Sequence, residues 1–468
     1  MLKWLFGLFG AEKKPGEFAF GRDEFLGGDL IWSLSQAVLG MLINGSTGAG
    51  KTLRCLLMLL AQLFWLRMGQ DYEEKIGGLF IDPKQSFAAR LIQLINDMGC
   101  DDELDVLSES SQVIINPLMS GLSGPRIAEM IVKSLHAGRP MTVGSGAAYY
   151  ESRATVLLGH LITVAMTTRR PCLQLVGEML DALSHERPIQ ASDPAAAEAV
   201  QRISIFAQGE EKEKKMVLDS VQNYLEPYRQ MPWKKIFWEP GSFYLDAIRD
   251  EGRLLVVSFS PNKVNHLNSG LFLLKTLFYA TIMDRMTTGF RGNKTRVCLL
   301  VVDEFPQVAS GGGSDADFLA VRREARCAPI FCFQQLSQLR TVLPLEWETV
   351  VGLLNTKIFL RQSDVDTAMF AEKLCGFIEL PIDAVTRAPD AWRIFYQESS
   401  RTTTKQLQPR VPAEYFRSLP DGDAIIVGDR VEMAWFPAAG MSRAEEIAWR
   451  KKHWPRRPRL LHPRDFRR

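Results

Sequence analysis

Residues 45–52 read Gly-Ser-Thr-Gly-Ala-Gly-Lys-Thr, the G-x-x-x-x-G-K-[ST] spacing in which backbone N–H groups surround phosphate oxygens. Gly45, Gly48 and Gly50 allow a close anion, and Ser46, Thr47 and Ala49 are small enough not to obstruct it. Lys51 would reach the β- and γ-phosphates and Thr52 would ligate Mg2+. The ligands this predicts are ATP and Mg2+. Residues 297–302 are wholly apolar and end in Asp303 and Glu304. Asp303 suits a second hold on Mg2+, and Glu304 suits a base that orients and deprotonates water, although an acidic pair here could also cap the next helix. A third apolar run, 329–333, leads into Gln334. A polar strand tip can sense a γ-phosphate, and an ordinary surface-loop glutamine fits the same position. Upstream, Arg322, Arg323 and Arg326 stand in a stretch that reads as helical from Asp317. They are either fingers offered to a neighbouring subunit's nucleotide or a solvated basic face.

These residues need strands to hold them. Apolar runs rich in β-branched and aromatic residues recur at 38–43, 79–81, 254–259, 297–302, 330–333 and 357–360. Helical apolar spacing follows two of them, at 53–68 and 87–98. Runs buried on both faces and alternating with helices predict an α/β fold, a mainly parallel sheet with helices on both sides. Between about 166 and 235 strand signals stop and helices are expected at 173–184, 194–208 and 212–229. An all-helical insertion there accounts for the roughly 250 residues between Lys51 and Asp303. The expected division is an N-terminal segment 1–34, a nucleotide-binding domain 35–165 with 236–435, the insertion 166–235, and a tail 436–468.

Hydrophobic residues make up 46% of the 468 and charged residues 24%, as in soluble proteins. The net charge of +2 hides an asymmetry, since residues 450–468 carry nine Lys/Arg against one acid. Trp449 and Trp454 stand among those cations, a composition that fits single-stranded DNA by phosphate pairing and stacking, or equally a solvated tail, an acidic partner or anionic lipid. The cysteines at 55, 100, 172, 298, 327, 332 and 375 lack any Cys-x-x-Cys pair, predicting buried reduced thiols in a cytoplasmic protein. Residues 1–10 are apolar but stop short of the roughly 20 needed to span a bilayer. They read as a helix packed on the body or as a shallow membrane or partner contact.

Further short segments fall in order: Ile81-Asp82-Pro83-Lys84, Asn116-Pro117-Leu118, Tyr149-Tyr150-Glu151-Ser152-Arg153, Asp303-Glu304-Phe305-Pro306, Gln-Gln-Leu-Ser-Gln-Leu at 334–339, and 355–361 with Asp366, Ala368 and Gly376. With residues 45–52, they make most of 35–430 resemble the coupling proteins of bacterial conjugation, the VirD/TraD/TraG-like ATPases of type IV secretion. The resemblance implies a RecA-like domain with an inserted helical domain facing the cytoplasm, assembled as a homo-hexamer. It implies ATP-driven movement of single-stranded DNA, or a relaxase–DNA complex, towards the components of a secretion channel. It makes Gln334 the γ-phosphate sensor and Arg323 the intersubunit arginine, with Arg326 second. Family members usually begin with two transmembrane helices, and none reads here. This resembles the soluble branch, docked on the inner membrane by a separate membrane protein. Two other readings use the same residues: a cytosolic HerA/FtsK-class DNA translocase, in DNA processing or anti-phage defence, and a scaffold that binds nucleotide without hydrolysing it.

Overall fold

A computed structural model describes residues 17–23, 29–85, 87–138, 145–190, 193–309, 311, 313–389, 396–436, 445 and 448. The apolar segment 1–10 and the basic tail from 449 onward lie outside the described residues. In chain order the strands are β1 Glu17–Asp23, β2 Asp29–Ser33, β3 Met41–Asn44, β4 Gly77–Ile81, β5 Leu104–Leu107, β6 Leu254–Val257 and β7 Cys298–Val302. They continue with β8 Cys327–Phe333, β9 Thr356–Phe359, β10 Phe377–Pro389, β11 Tyr396–Pro409, β12 Asp423–Val427 and β13 Val431–Trp435.

Eleven strands form one sheet in the order β2-β1-β13-β12-β9-β3-β8-β7-β4-β6-β5. From β9 to β5 every pairing is parallel. The four strands beyond β9 are antiparallel additions. Among the described residues β10 and β11 pair only with each other, as a separate long hairpin.

Every residue of β3, β4, β6, β7, β8 and β9 is buried, because helices cover both faces. Alternate side chains enter opposite cores. Along β7, Cys298, Leu300 and Val302 join one apolar cluster while Leu299 and Val301 join the other. The second cluster is closed by α1 Leu57–Met68, which continues a π-helical turn over Lys51–Leu56, and by α2 Ala88–Asp97. The first is closed by α3 Gly124–Ser134, α4 Ser145–Met166, α5 Leu173–Ser184, α6 Ala197–Ala207, α7 Glu211–Arg229 and α8 Leu267–Met283. The α/β class with helices on both sheet faces is as the sequence predicts.

The helical run is continuous from α3 to α7, and α4 packs on α3 as well as on α5, α6 and α7. Residue 166, where the insertion was expected to start, is therefore the last residue of a helix that belongs to both neighbours. Two glycines bring α3 and α4 together. A Cβ on Gly124 would stand 2.3 Å from Thr163 Oγ1, and one on Gly159 would stand 3.0 Å from Pro125 Cα. All seven cysteines are buried and free. Among the described residues no helix is long and apolar enough to cross a membrane.

Candidate nucleotide site

The parallel block carries the site at the C-terminal ends of its strands. After β3 the chain turns through Gly45–Gly50, with Gly48 at φ 81° and Gly50 at φ 93°, a conformation side chains resist. The Gly50 carbonyl then accepts from Arg54 N (2.9 Å) and Cys55 N (3.1 Å), which opens the wide first turn of the helix. The loop is tied to the segment after β9: Ser46 N donates to Arg361 O at 2.9 Å, and Ser363 N donates to Ser46 Oγ at 2.6 Å. Gly45 lies close against that segment, where a Cβ would meet Leu360 Cβ at 3.0 Å.

Residues roughly 250 positions apart meet here. The Lys51 ammonium, nearly buried, stands 3.3 Å from Asp303 Oδ1 and 3.1 Å from Glu304 Oε1. Thr52 Oγ1 donates to Asp303 Oδ2 at 3.3 Å. Gln334 Nε2 donates to Glu304 Oε1 at 2.6 Å, and Gln334 Oε1 accepts from Thr47 Oγ1 at 3.0 Å. The phosphate loop, the acidic pair and Gln334 thus form one connected network. The strand order explains it, because β8, which ends in Gln334, lies between β3 and β7.

Burial disfavours the Lys51 charge, but Asp303, Cys332 and Glu304 outweigh it and hold its pKa above the ordinary lysine value. Burial pushes the Glu304 carboxyl up, but Lys51, Gln334 and Lys84 together hold it below the usual glutamate value. Glu304 also sits at φ 56°, ψ 50°, the left-handed region that costs a non-glycine residue about 1–2 kcal/mol. The next residue secures it, since the Phe305 ring stacks on Phe331 with centroids 4.1 Å apart and carries the Lys275 ammonium 5.0 Å from its centre. A strained backbone at a buried carboxylate is a mark of functional sites.

Two oxygen donors, Thr52 Oγ1 and Asp303 Oδ2, lie side by side at the mouth of the glycine cradle. They are the hard ligands that Mg2+ takes alongside phosphate oxygens, so the residues present fit a Mg2+–nucleotide.

The backbone around the arginines and the burial of Arg322 differ from expectation. The helix before them, α9 Ser314–Val321, ends before Arg322. Residues 322–326 form a turn closed by Arg326 N to Arg323 O (3.0 Å) and Cys327 N to Arg322 O (2.9 Å), because the chain must reverse into β8. Arg322 is buried and donates to the carbonyls of Leu39, Leu319 and Leu353. Arg323 and Arg326 are exposed. They precede β8 whereas Gln334 follows it, so they stand at the N-terminal end of the parallel strands, opposite this chain's own phosphate loop and about 20 Å away at the strand rise of roughly 3.3 Å per residue. The site gathers Lys51, Thr52, Asp303, Glu304 and Gln334, and leaves Arg323 and Arg326 apart.

In the sequence Lys84 stands only as part of a short motif. Its Nζ lies 3.2 Å from Glu304 Oε1. It arrives there because β4 is the other neighbour of β7. Its loop is shaped by Asp82, whose carboxylate accepts from Phe87 N (2.8 Å), Ala88 N (3.0 Å) and Lys84 N (3.3 Å). The Asp-Pro-Lys spacing was the signal available.

Residues 297–421 match the family described as the TraM recognition site of TraD and TraG. Against curated proteins the sequence has no match. The fold resembles that of the bacterial conjugative coupling protein TrwBΔN70, with a TM-score of 0.62, 17% identity, and coverage of 94% of this chain and 93% of that one. TrwB in complex with ADP and Mg2+ aligns with a TM-score of 0.61 at 16% identity over 95% of this chain and 94% of that one. VirB4 of Thermoanaerobacter pseudethanolicus is more distant, with a TM-score of 0.53, 12% identity, and coverage of 92% and 98%.

Proposed function

We propose that this chain, which resembles the coupling proteins in fold over nearly its whole length and in sequence over 297–421, is the ATP-driven motor of a conjugative type IV secretion system. The observation that carries the proposal is the buried network joining Lys51, Thr52, Asp303, Glu304 and Gln334 across the sheet. In this reading backbone N–H groups of 45–52 and the Lys51 ammonium bind the triphosphate. Thr52 and Asp303 hold Mg2+, which when bound supplies charge neutralisation on the phosphates. Glu304 orients a water for in-line attack on the γ-phosphorus and takes its proton, giving ADP and phosphate. Gln334, hydrogen-bonded to both Thr47 and Glu304, registers whether the γ-phosphate is present. Arg323, with Arg326 as second choice, serves the site of the next subunit, since neither can reach its own.

The assembly in this reading is a homo-hexamer that moves single-stranded DNA or a relaxase–DNA complex to the channel components, at the cytoplasmic face of the inner membrane and with a docking protein there. Residues 35–165 and 236–435 form the nucleotide-binding domain and 166–235 the substrate-facing insertion, to which the packing of α4 adds residues 145–166. The family match and the likeness to TrwB support conjugative coupling over a HerA/FtsK-class translocase.

The test is ATP hydrolysis by the purified protein with and without single-stranded DNA. Lys51→Ala is expected to abolish nucleotide binding or turnover. Glu304→Gln is expected to bind ATP and lose about 10²- to 10⁴-fold in turnover, the usual share of a positioned base. Wild-type turnover in Glu304→Gln refutes the assignment of the base, and no turnover by the wild-type protein refutes the ATPase reading.

A further inference from the structure

We propose that Lys84 is the positioning residue for Glu304, holding its carboxylate in place through the step in which nucleotide draws the other partners away. The inference rests on the ATPase reading above. Three donors converge on the single oxygen Glu304 Oε1: Lys51 Nζ at 3.1 Å, Gln334 Nε2 at 2.6 Å and Lys84 Nζ at 3.2 Å. Two of them come from the nucleotide side. Lys51 belongs to the phosphate loop, and Gln334 is bonded to Thr47 of that loop. A bound triphosphate recruits both, because its charge exceeds that of one carboxylate and it sits in their cradle. Lys84 comes from the other side, at the end of β4, across β7 from β8 and β3. It is the donor that nucleotide has no geometric reason to remove.

The loop that presents it is fixed independently of Glu304. The Asp82 carboxylate accepts three backbone N–H groups, Lys84 N among them, and Gln85 takes a left-handed φ of 55°. The Lys84 side chain is 39% exposed while Glu304 is 5% exposed. Packing therefore does not confine the ammonium, and the carboxylate is what it reaches for. A charge-assisted hydrogen bond from a fixed loop to a buried carboxylate that sits on strained backbone is an orienting device.

The experiment compares steady-state ATP hydrolysis, nucleotide affinity and melting temperature for the full chain and its Lys84→Met and Lys84→Arg variants. Met keeps the length and removes the charge. Lys84→Met is expected to lose about 10- to 100-fold in kcat, the scale of a misplaced reacting group, with KM, nucleotide Kd and melting temperature unchanged. Lys84→Arg is expected to recover most of the loss. The inference is overturned by a Lys84→Met kcat within twofold of wild type, by a rise in KM at constant kcat, by a lowered melting temperature, or by equal loss in both variants. If the wild-type protein does not hydrolyse ATP, the ATPase reading fails and takes this inference with it. An active wild type with an equally active Lys84→Met sinks the inference alone.

Discussion

Lys275 and Asp315 form an ion pair with no exposed side-chain surface, directly beneath the residue that follows Glu304. Tyr279 Oη donates to the same Asp315 oxygen at 2.8 Å, and the rings of Phe272, Tyr279 and Phe305 stand 5.0, 5.4 and 5.0 Å from the ammonium. Burial drives the Lys275 pKa below its ordinary value even though Asp315 pulls it back up. Removing one charge leaves the other stranded, so Lys275→Met or Asp315→Asn alone is expected to cost about 3–5 kcal/mol. Lys275→Met with Asp315→Asn removes both charges and keeps an amide oxygen for Tyr279, at a total of about 1–2 kcal/mol. Unfolding entropy near 2.1 cal/mol/K per residue makes a 468-residue transition shift about 1 °C per kcal/mol. The singles should melt about 3–5 °C lower and the double within about 2 °C of wild type, read by scanning calorimetry on the four proteins. Additive losses in the double variant, or singles that melt like wild type, would show that the pair is not desolvated as described.

Arg322→Ala leaves three carbonyls without the guanidinium and should cost about 3 kcal/mol, whereas the exposed Arg323→Ala should be stability-neutral. Doping Arg323→Ala subunits into wild-type rings should depress ATPase activity more than in proportion to their fraction, and a linear decline would count against a role between subunits. Burial pushes the Asp423 carboxyl up to about 8, Arg54 opposing and Asp421 adding to the rise. Its folded pKa lies above the unfolded value near 3.9, so the folded chain favours the neutral acid and loses stability as pH rises from about 4 through 8. Asp423→Asn should therefore gain about 1–3 kcal/mol over wild type at pH 8 and almost nothing at pH 4.5, and a pH-independent difference in melting temperature would refute this.

The parallel strands were legible because burial on both faces leaves uninterrupted apolar runs, and residues 297–302 became β7 with the loss of one residue. Helix α5 was read at its observed bounds, since its apolar stripe is regular. The hairpin β10–β11 is not legible in the sequence, because a stretch such as Arg-Thr-Thr-Thr-Lys-Gln at 401–406 lacks alternation and, among the described residues, its strands pair only with each other. β1, β2, β12 and β13 are not legible either: they form two short local hairpins, β1–β2 and β12–β13, that join the sheet through pairings with segments distant in sequence. At the site, Lys51, Asp303 and Glu304 carry their chemistry in their motifs. Lys84 does not, since its role depends on β4 lying beside β7. Arg322 reads from the sequence as a solvated or offered cation, because nothing local reveals that three carbonyls await it.

The central strand also sets the timing of biosynthesis. Met41 of β3 pairs with Ile330 of β8 and Thr356 of β9, so both flanks of the phosphate-loop strand are supplied by residues about 290 or more positions later. At roughly 5–20 residues per second, a nascent chain carries an unpaired apolar β3 for about 15–60 s before its neighbours leave the ribosome. The nucleotide site is therefore among the last parts of the protein to be completed. Prematurely terminated chains lacking β8 keep the glycine loop and lose the sheet that shapes it, and chaperones that shield unpaired strand edges would find their target here.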